Sequence, residues 1–214
     1  MRDLLRGLPV LARPAPSFDL DDVPDEPMTL FQQWLHAAVA AGVSEPHAMV
    51  LSTVDRAGVP DTRVLILKDV DSHGFHFATE SISAKGRQLA EQPVAALNFY
   101  WREQARQIRA RGKVSRAGAD VSSRDFLARP LGSRAASLIG RQSDVLKDRR
   151  DLVRELATAR ERLRGDPQIV APHHGVYLVR PQSVEFWQGD AERRHVRLRY
   201  RCTGDGWTPE TLWP

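Results

Sequence analysis

The sequence is poor in cysteine, with Cys202 alone among 214 residues. One thiol cannot form an intramolecular disulfide, and a zinc site built from several cysteines is excluded as well. Long apolar runs are also missing: no stretch approaches the roughly 20 residues that a membrane helix needs. The first residues, MRDLLRGLPVLARP, lack the apolar core of a signal peptide. We therefore expect a cytoplasmic protein without a membrane span.

An excess of charge of one sign is nearly absent too. Lys and Arg number 31 and Asp and Glu 27, a formal net charge of +4. This excess is too small to require nucleic acid as a partner, and no stripe of stacking aromatic residues accompanies the basic ones. Positive charge should instead act locally, where several cations meet one small anion.

Several familiar catalytic and binding motifs are not present. No GxGxxG or GxxxxGK[ST] phosphate loop occurs, and no GxSxG elbow marks a nucleophilic serine. The seven histidines show no metal-ligand spacing, since His173 and His174 have no acidic or cysteine partner nearby in sequence. We expect no metal site.

Hydrophobic periodicity gives the organisation of the chain. Prolines and acidic residues over 8–27 favour an extended N-terminal arm, taken as residues 1–26, before a single domain over 27–214. A helix is expected from Thr29 to near Gly42. Strands are then expected at 48–54, 62–70, 75–79, 94–101, 106–116, 175–188 and 193–202, and helices at 84–92, 122–128, 133–139 and 144–164. Short antiparallel strands with helices at the margins predict an α+β fold centred on a β-barrel.

The last expected strand carries a row of cations. Because side chains alternate along a strand, one face would hold Arg193, His195, Arg197, Arg199 and Arg201. Arg193 and Arg197 would lie roughly 13 Å apart, the scale of a small stack of cofactor and substrate. A solvated edge whose charges discourage strand pairing is the alternative.

Two further places could hold an anion. Thr79, Ser83 and Lys85 surround an expected helix start, where free N–H groups favour phosphate; an ordinary serine N-cap is the alternative. Arg63 and Lys68 bracket the apolar segment VLIL, but their odd separation points them to opposite faces of an ideal strand. They could instead extend to solvent.

Together these segments resemble the pyridoxamine 5′-phosphate oxidase family from about Pro27 to Pro214. The matching stretches, in family order, are RVLILK (63–68), Thr79-x3-Ser83-x-Lys85, RQIRARG (106–112), ARPLGS (128–133), RQS (141–143) and EFWQGDAERRHVRLRY (185–200). The resemblance implies an FMN-binding split β-barrel, antiparallel and Greek-key-like, that forms a homodimer with FMN at the subunit interface.

The resemblance also implies roles for individual residues. Those matching the flavin-binding positions are Arg63, Lys68, Thr79, Ser83, Lys85, Gln107, Gln142, Ser143, Trp187 and Arg197. Those matching the substrate-binding positions are Lys68, Arg129, Ser133, Arg193 and His195, of which Arg193 and His195 would serve catalysis. The implied reaction is hydride transfer from pyridoxine or pyridoxamine 5′-phosphate to flavin N5, with dioxygen as final acceptor.

Some positions depart from the family pattern. Asp125 stands where a tyrosine is usual, Ala84 where an arginine is common, Ala78 where an aromatic residue precedes the flavin threonine, and His173-His174 where a Gly-Gly strand is found. A carboxylate beside a phosphate is repulsive, so Asp125 must turn away or the substrate must differ.

YWRE (100–103) is similar to phenazine-biosynthesis oxidases of the same superfamily. An oxidase of a non-B6 aromatic acid and a non-catalytic flavin- or haem-binding module are the alternatives.

Overall fold

The computed structural model describes residues 1–11, 15–204 and 206–214. Its strands are β1 (Ala48–Val54), β2 (Pro60–Asp71), β3 (Gly74–Glu80), β4 (Val94–Trp101), β5 (Arg106–Arg116), β6 (His174–Gln188), β7 (Val196–Cys202) and β8 (Trp207–Thr211). Its helices are α1 (Arg2–Arg6), α2 (Pro27–Ala40), α3 (Ala84–Glu91), α4 (Ala119–Ala128), α5 (Leu131–Ile139) and α6 (Arg149–Gly165).

The strands form one antiparallel sheet in the order β3-β2-β1-β4-β5-β6-β7-β8, and β3 also pairs with β6. This second pairing closes six strands into a barrel. The order β4-β1-β2-β3 is that of a Greek key, in which the fourth strand returns beside the first. The expected α+β fold, an antiparallel barrel with helices at its margins, is confirmed.

The barrel is split because the long strand β6 changes partner along its length. Its first part, His174 to Val179, pairs with β3, while Ser183 to Gln188 pairs with β7. The change of partner falls opposite Gly112, where β6 has one extra residue, Gln182, relative to β5. A Cβ at Gly112 would lie 1.9 Å from the carbonyl oxygen of Arg180, so no larger residue fits this close approach.

Helix α2 closes one end of the barrel with aromatic side chains. Phe31 is fully buried, with its ring centroid 4.9 Å from those of Phe75 and Phe99. Trp34 packs edge-on against Phe186 at 5.2 Å. Because aromatic rings bury the largest apolar areas, this cluster supplies much of the core that holds the strands in register.

The N-terminal segment lies against this core. Phe18, Leu20 and Val23 pack on it as partly buried side chains. The hydroxyl of Tyr200 donates a hydrogen bond to the carbonyl of Pro24 at 2.7 Å. The helix α1 precedes these contacts, so the arm is not extended throughout.

Several elements differ from expectation. Helix α6 begins at Arg149, not near Asp144, because the side chain of Asp148 caps it by accepting from the Arg150 amide. The strand expected from 193 begins at Val196, and β8 was not predicted. Arg193 has φ +68° in the preceding turn, a conformation that a strand does not contain.

Candidate active site

The start of α3 gathers five of the predicted flavin-binding residues. Ser83 is its N-cap, and its Oγ accepts from the Gly86 amide at 3.2 Å. Since a helix start concentrates free N–H groups and the positive end of the dipole, an anion is favoured here. We call the group the helix-start cluster; its members are Thr79, Ser83, Lys85, Gln142 and Ser143.

Hydrogen bonds join the members of the helix-start cluster. The Lys85 ammonium donates to Gln142 Oε1 at 3.1 Å and to Ser83 Oγ at 3.4 Å. Ser143 Oγ accepts from the Ala84 amide at 3.2 Å. Thr79 Oγ1 lies 3.5 Å from Ser83 Oγ. Two segments nearly 60 residues apart in sequence thus meet at one helix end.

Lys85 is a buried cation whose hydrogen-bond partners are neutral oxygens. Burial, and next the nearby charge of Arg63, lower the pKa of Lys85, although Glu80 and Asp61 oppose this. A buried ammonium without a directly paired carboxylate is costly, and a bound phosphate would remove the cost. This donor set of hydroxyls, amides and cations fits the phosphate of FMN.

Arg63 extends the cluster from the neighbouring strands. Its guanidinium donates to Thr53 Oγ1 at 2.6 Å and to Leu51 O at 3.3 Å, and it pairs with Asp61. Arg63 Nη2 also donates to Gln88 Oε1 at 3.3 Å, and Gln88 lies on α3, the helix that begins at the cluster.

Lys68 reaches the same side of the molecule through an irregularity in β2. The pairing with β3 shifts between Leu67 and Asp69, a β-bulge with Lys68 at its centre. A bulge re-aims a side chain, so the odd spacing from Arg63 does not separate the two cations. Lys68 pairs with Asp125 at 3.1 Å.

A cavity of about 350 Å³ adjoins the cluster. Its lining includes five of the predicted residues, Lys68, Thr79, Arg129, Ser133 and Gln142, together with Glu80 and His174. Flavin-binding and substrate-binding candidates therefore share one cavity.

Glu80 and His174 were not predicted for the site. Burial raises the pKa of Glu80, against the lowering effects of Ser137 and nearby cations, and its Oε2 has no hydrogen-bond partner among the described residues. The Nε2 atom of His174 lies within hydrogen-bond distance of Asp125 Oδ2, 2.8 Å away. Only the Gly-Gly departure at His173-His174 drew attention to this position in the sequence.

The carboxylate of Asp125 is bound by two side chains of the protein, Lys68 and His174. Burial would raise the pKa of Asp125, but hydrogen bonds from His174 and Lys68 and the positive charge of Lys68 lower it. Both carboxylate oxygens are engaged. The carboxylate is thus compensated within the protein.

The remaining predicted residues lie elsewhere on the chain. Gln107, Trp187 and Arg197 are direct cross-strand neighbours on β5, β6 and β7. The Gln107 amide donates to Asn98 Oδ1 at 2.7 Å. Arg197 donates to Glu185 Oε1 and to the carbonyl of Trp213. We call this row with Arg193 and His195 the closing-strand group.

His195 sits beside Trp187 with a defined proton position. Their ring centroids are 5.0 Å apart. The backbone amide of Asp190 donates to His195 Nδ1 at 3.0 Å, so this nitrogen accepts and the ring proton lies on Nε2. Arg193 stands in the turn before β7, so the prediction that it shares a strand face with Arg197 is wrong.

The two groups are distant within one chain. Thr79 pairs with Gly175 at one end of β6, and Trp187 lies near the other end. Twelve residues of strand span up to roughly 40 Å. The helix-start cluster and the closing-strand group therefore lie toward opposite ends of β6.

No helix among the described residues is long and apolar enough to cross a membrane. Within those residues, no group of three or more His, Cys, Asp or Glu side chains could hold a metal ion.

A split antiparallel barrel with a phosphate-type cluster at a helix start defines a flavin-binding protein of the split-barrel class. Residues 35–163 match the family described as pyridoxamine 5′-phosphate oxidase, and residues 174–214 match the pyridoxine 5′-phosphate oxidase C-terminal dimerisation region. The chain belongs to the pyridoxamine 5′-phosphate oxidase family, whose members bind FMN and are oxidase-type enzymes.

Individual relatives cover nearly the whole chain. The pyridoxine/pyridoxamine 5′-phosphate oxidase of Ectopseudomonas mendocina is 44% identical over 193 residues, 89% of this chain and 90% of the relative. That of Burkholderia lata is 41% identical over 201 residues, 92% and 94% of the two chains. The crystal structure of PhzG from Burkholderia lata 383, in complex with tetrahydrophenazine-1-carboxylic acid, has a TM-score of 0.89 at 33% identity and covers 94% of this chain and 99% of its own.

Proposed function

We propose that this chain is an FMN-dependent oxidase that converts pyridoxine or pyridoxamine 5′-phosphate to pyridoxal 5′-phosphate, acting as a homodimer. The observation that carries the proposal is the cavity in which the helix-start cluster adjoins Lys68, Arg129 and Ser133. One set of donors suits the FMN phosphate, and the other suits a second anion beside it.

Identity to named relatives supports this substrate over the phenazine type. In Burkholderia lata, the pyridoxine/pyridoxamine 5′-phosphate oxidase is 41% identical to this chain, whereas PhzG is 33% identical.

The dimer would complete the site. The helix-start cluster with Arg63 would hold the FMN phosphate in one protomer, and Gln107, Trp187 and Arg197 of the partner would contact the rest of the flavin. The match of residues 174–214 to a dimerisation region supports this arrangement, because that segment carries Trp187 and Arg197.

Bound FMN would supply the redox chemistry, accepting hydride from the substrate C4′ at N5 before reoxidation by dioxygen. Arg129 and Ser133 would bind the substrate phosphate. Lys68 would contact both ligands. Arg193 would orient the substrate, and His195 would donate from Nε2 to its phenolic oxygen, because Nδ1 already accepts from the Asp190 amide.

Asp125 keeps a second candidate open, oxidation of a non-B6 aromatic acid. A carboxylate near Arg129 reduces the net positive charge that a phosphate dianion would meet. Compared with a site that lacks Asp125, this site therefore favours substrates with a smaller negative charge.

An absorption spectrum followed by anaerobic mixing tests the proposal. We expect the purified protein to be yellow with bound FMN, and pyridoxine 5′-phosphate to bleach it. Bleaching by a reduced phenazine carboxylic acid alone would support the second candidate. A tightly held flavin reduced by neither would indicate a non-catalytic module.

A cytoplasmic location remains an expectation from the single cysteine.

A further inference from the structure

Asp125 has no role in the proposed reaction, yet both of its oxygens are used. Oδ1 lies 3.1 Å from Lys68 Nζ, and Oδ2 lies 2.8 Å from His174 Nε2. Its side chain is 18% exposed. A carboxylate held on both sides at this depth has a defined orientation.

His174 links this carboxylate to Arg129. Its side chain is only 2% exposed and packs edge-on against Phe126. Arg129 Nη1 lies 3.3 Å from His174 Nδ1. Because arginine can only donate, Nδ1 must accept, and the ring proton lies on Nε2, where it is donated to Asp125. The imidazole is therefore neutral and bridges a cation and an anion.

Arg129 is restrained along one edge. Its Nη1 also donates to Ser137 Oγ at 2.8 Å. Within the described part of the chain, the side-chain hydrogen bonds of Arg129 all leave from Nη1. The rest of the guanidinium fork stays available to a ligand in the cavity that Arg129 lines.

We propose that Asp125 and His174 form a positioning relay that aims Arg129 and Lys68 at the substrate anion. Asp125 orients His174 and holds Lys68, and His174 in turn fixes Arg129. The relay gives Asp125 a function at the position where a tyrosine is usual. It rests on the proposed function in one respect, that Arg129 binds the anionic group of the substrate.

Two variants at His174 separate positioning from packing. Glutamine can accept from Arg129 with its carbonyl and donate to Asp125 with its amide, whereas alanine does neither. We expect His174→Ala in the FMN-loaded enzyme to raise KM for pyridoxine 5′-phosphate about tenfold, the effect of misplacing one charge-assisted contact, with kcat and FMN affinity little changed. His174→Gln should restore most of the loss. An equal KM for both variants, or a loss confined to kcat, overturns the relay.

A double-mutant cycle tests whether Asp125 acts through His174. Asp125→Ala and His174→Ala should each raise KM, because the loss of positioning outweighs the gain in positive charge when Asp125 is removed. The double variant should raise KM no further than the larger single effect, since members of one network are non-additive. Multiplied effects would show that the residues act independently and would refute the relay.

The proton position gives a readout that does not depend on turnover. In FMN-loaded protein labelled with ¹⁵N-histidine, His174 should show a protonated Nε2 and an unprotonated Nδ1 at neutral pH. Asp125→Ala should disturb this signal, while Glu91→Gln, on an exposed helix position, should not. An imidazolium, or the opposite tautomer, overturns the relay. Failure of pyridoxine 5′-phosphate to reduce the flavin would refute the proposed function alone, because the NMR result stands apart from it.

Discussion

Arg197 donates two hydrogen bonds to a single carboxylate oxygen of Glu185, at 3.0 and 2.8 Å. Glu185 also pairs with Arg109 on β5, so three strands are joined at this point. The pairing fixes the Arg197 fork beside Trp187, its cross-strand neighbour.

Replacing Arg197 with Ala should weaken FMN binding about tenfold or more, because a positioned charged donor is lost. The dissociation constant can be measured by quenching of flavin fluorescence. Arg201→Ala is the matched control, since Arg201 lies four residues further along the same strand and pairs with Glu210. Unchanged FMN affinity in Arg197→Ala would contradict its placement at the flavin.

Replacing Lys85 with Met should weaken FMN far more than riboflavin. The substitution removes the cation beside the phosphate, which riboflavin lacks, and a loss of about tenfold or more in FMN affinity is expected for one charge-assisted contact. Titration of the apoprotein with both flavins measures the difference. Equal losses for the two would show that Lys85 does not contact the phosphate.

Mixed dimers should recover FMN sites of wild-type affinity that each parent variant lacks. Lys85→Met and Arg197→Ala damage opposite halves of the proposed shared site, so a heterodimer contains one intact site. Refolding or coexpression at equal amounts should give roughly half heterodimers, and about a quarter of the wild-type sites. Titration of bound FMN counts them. No recovery would show that both residues serve the site of one protomer.

Glu80 should destabilise the protein in the absence of ligand. Folding raises the pKa of Glu80. The contribution of this shift to the free energy of unfolding is therefore fully present below the ordinary pKa of 4.5 and is lost as pH rises through the folded-state pKa. Glu80→Gln should therefore increase the free energy of unfolding at neutral pH by about 1 kcal/mol, because Oε2 is buried without a partner.

Denaturant unfolding of the apoprotein at about pH 7 and about pH 4 measures this effect, which should shrink at the lower pH. The exposed Glu91→Gln serves as control. A destabilised Glu80→Gln at neutral pH would show that the ionised carboxylate has a stabilising partner.

Much of the local structure followed from the sequence. Alternating apolar residues located β1, β4 and β5 within a residue or two, because side-chain period is a local property of strands. The Ser83 cap and the anion-favouring helix start were likewise predicted, since they depend on neighbours within one turn. The family resemblance followed from short motifs in order and is confirmed by matches over 35–163 and 174–214.

Which side chains meet was decided by the tertiary structure. Lys68 joins its cavity through a bulge that exists only in the pairing of β2 with β3. Gln142 reaches Lys85 across 57 positions, and His174 reaches Asp125 across 49. Strand register and helix docking set these contacts, and both result from long-range packing that no local pattern encodes. The sequence by itself thus determined most of the helices and strands and the family. Only the folded chain decided that Lys68 and His174 bind the Asp125 carboxylate, and that the flavin-binding candidates lie in two separate groups.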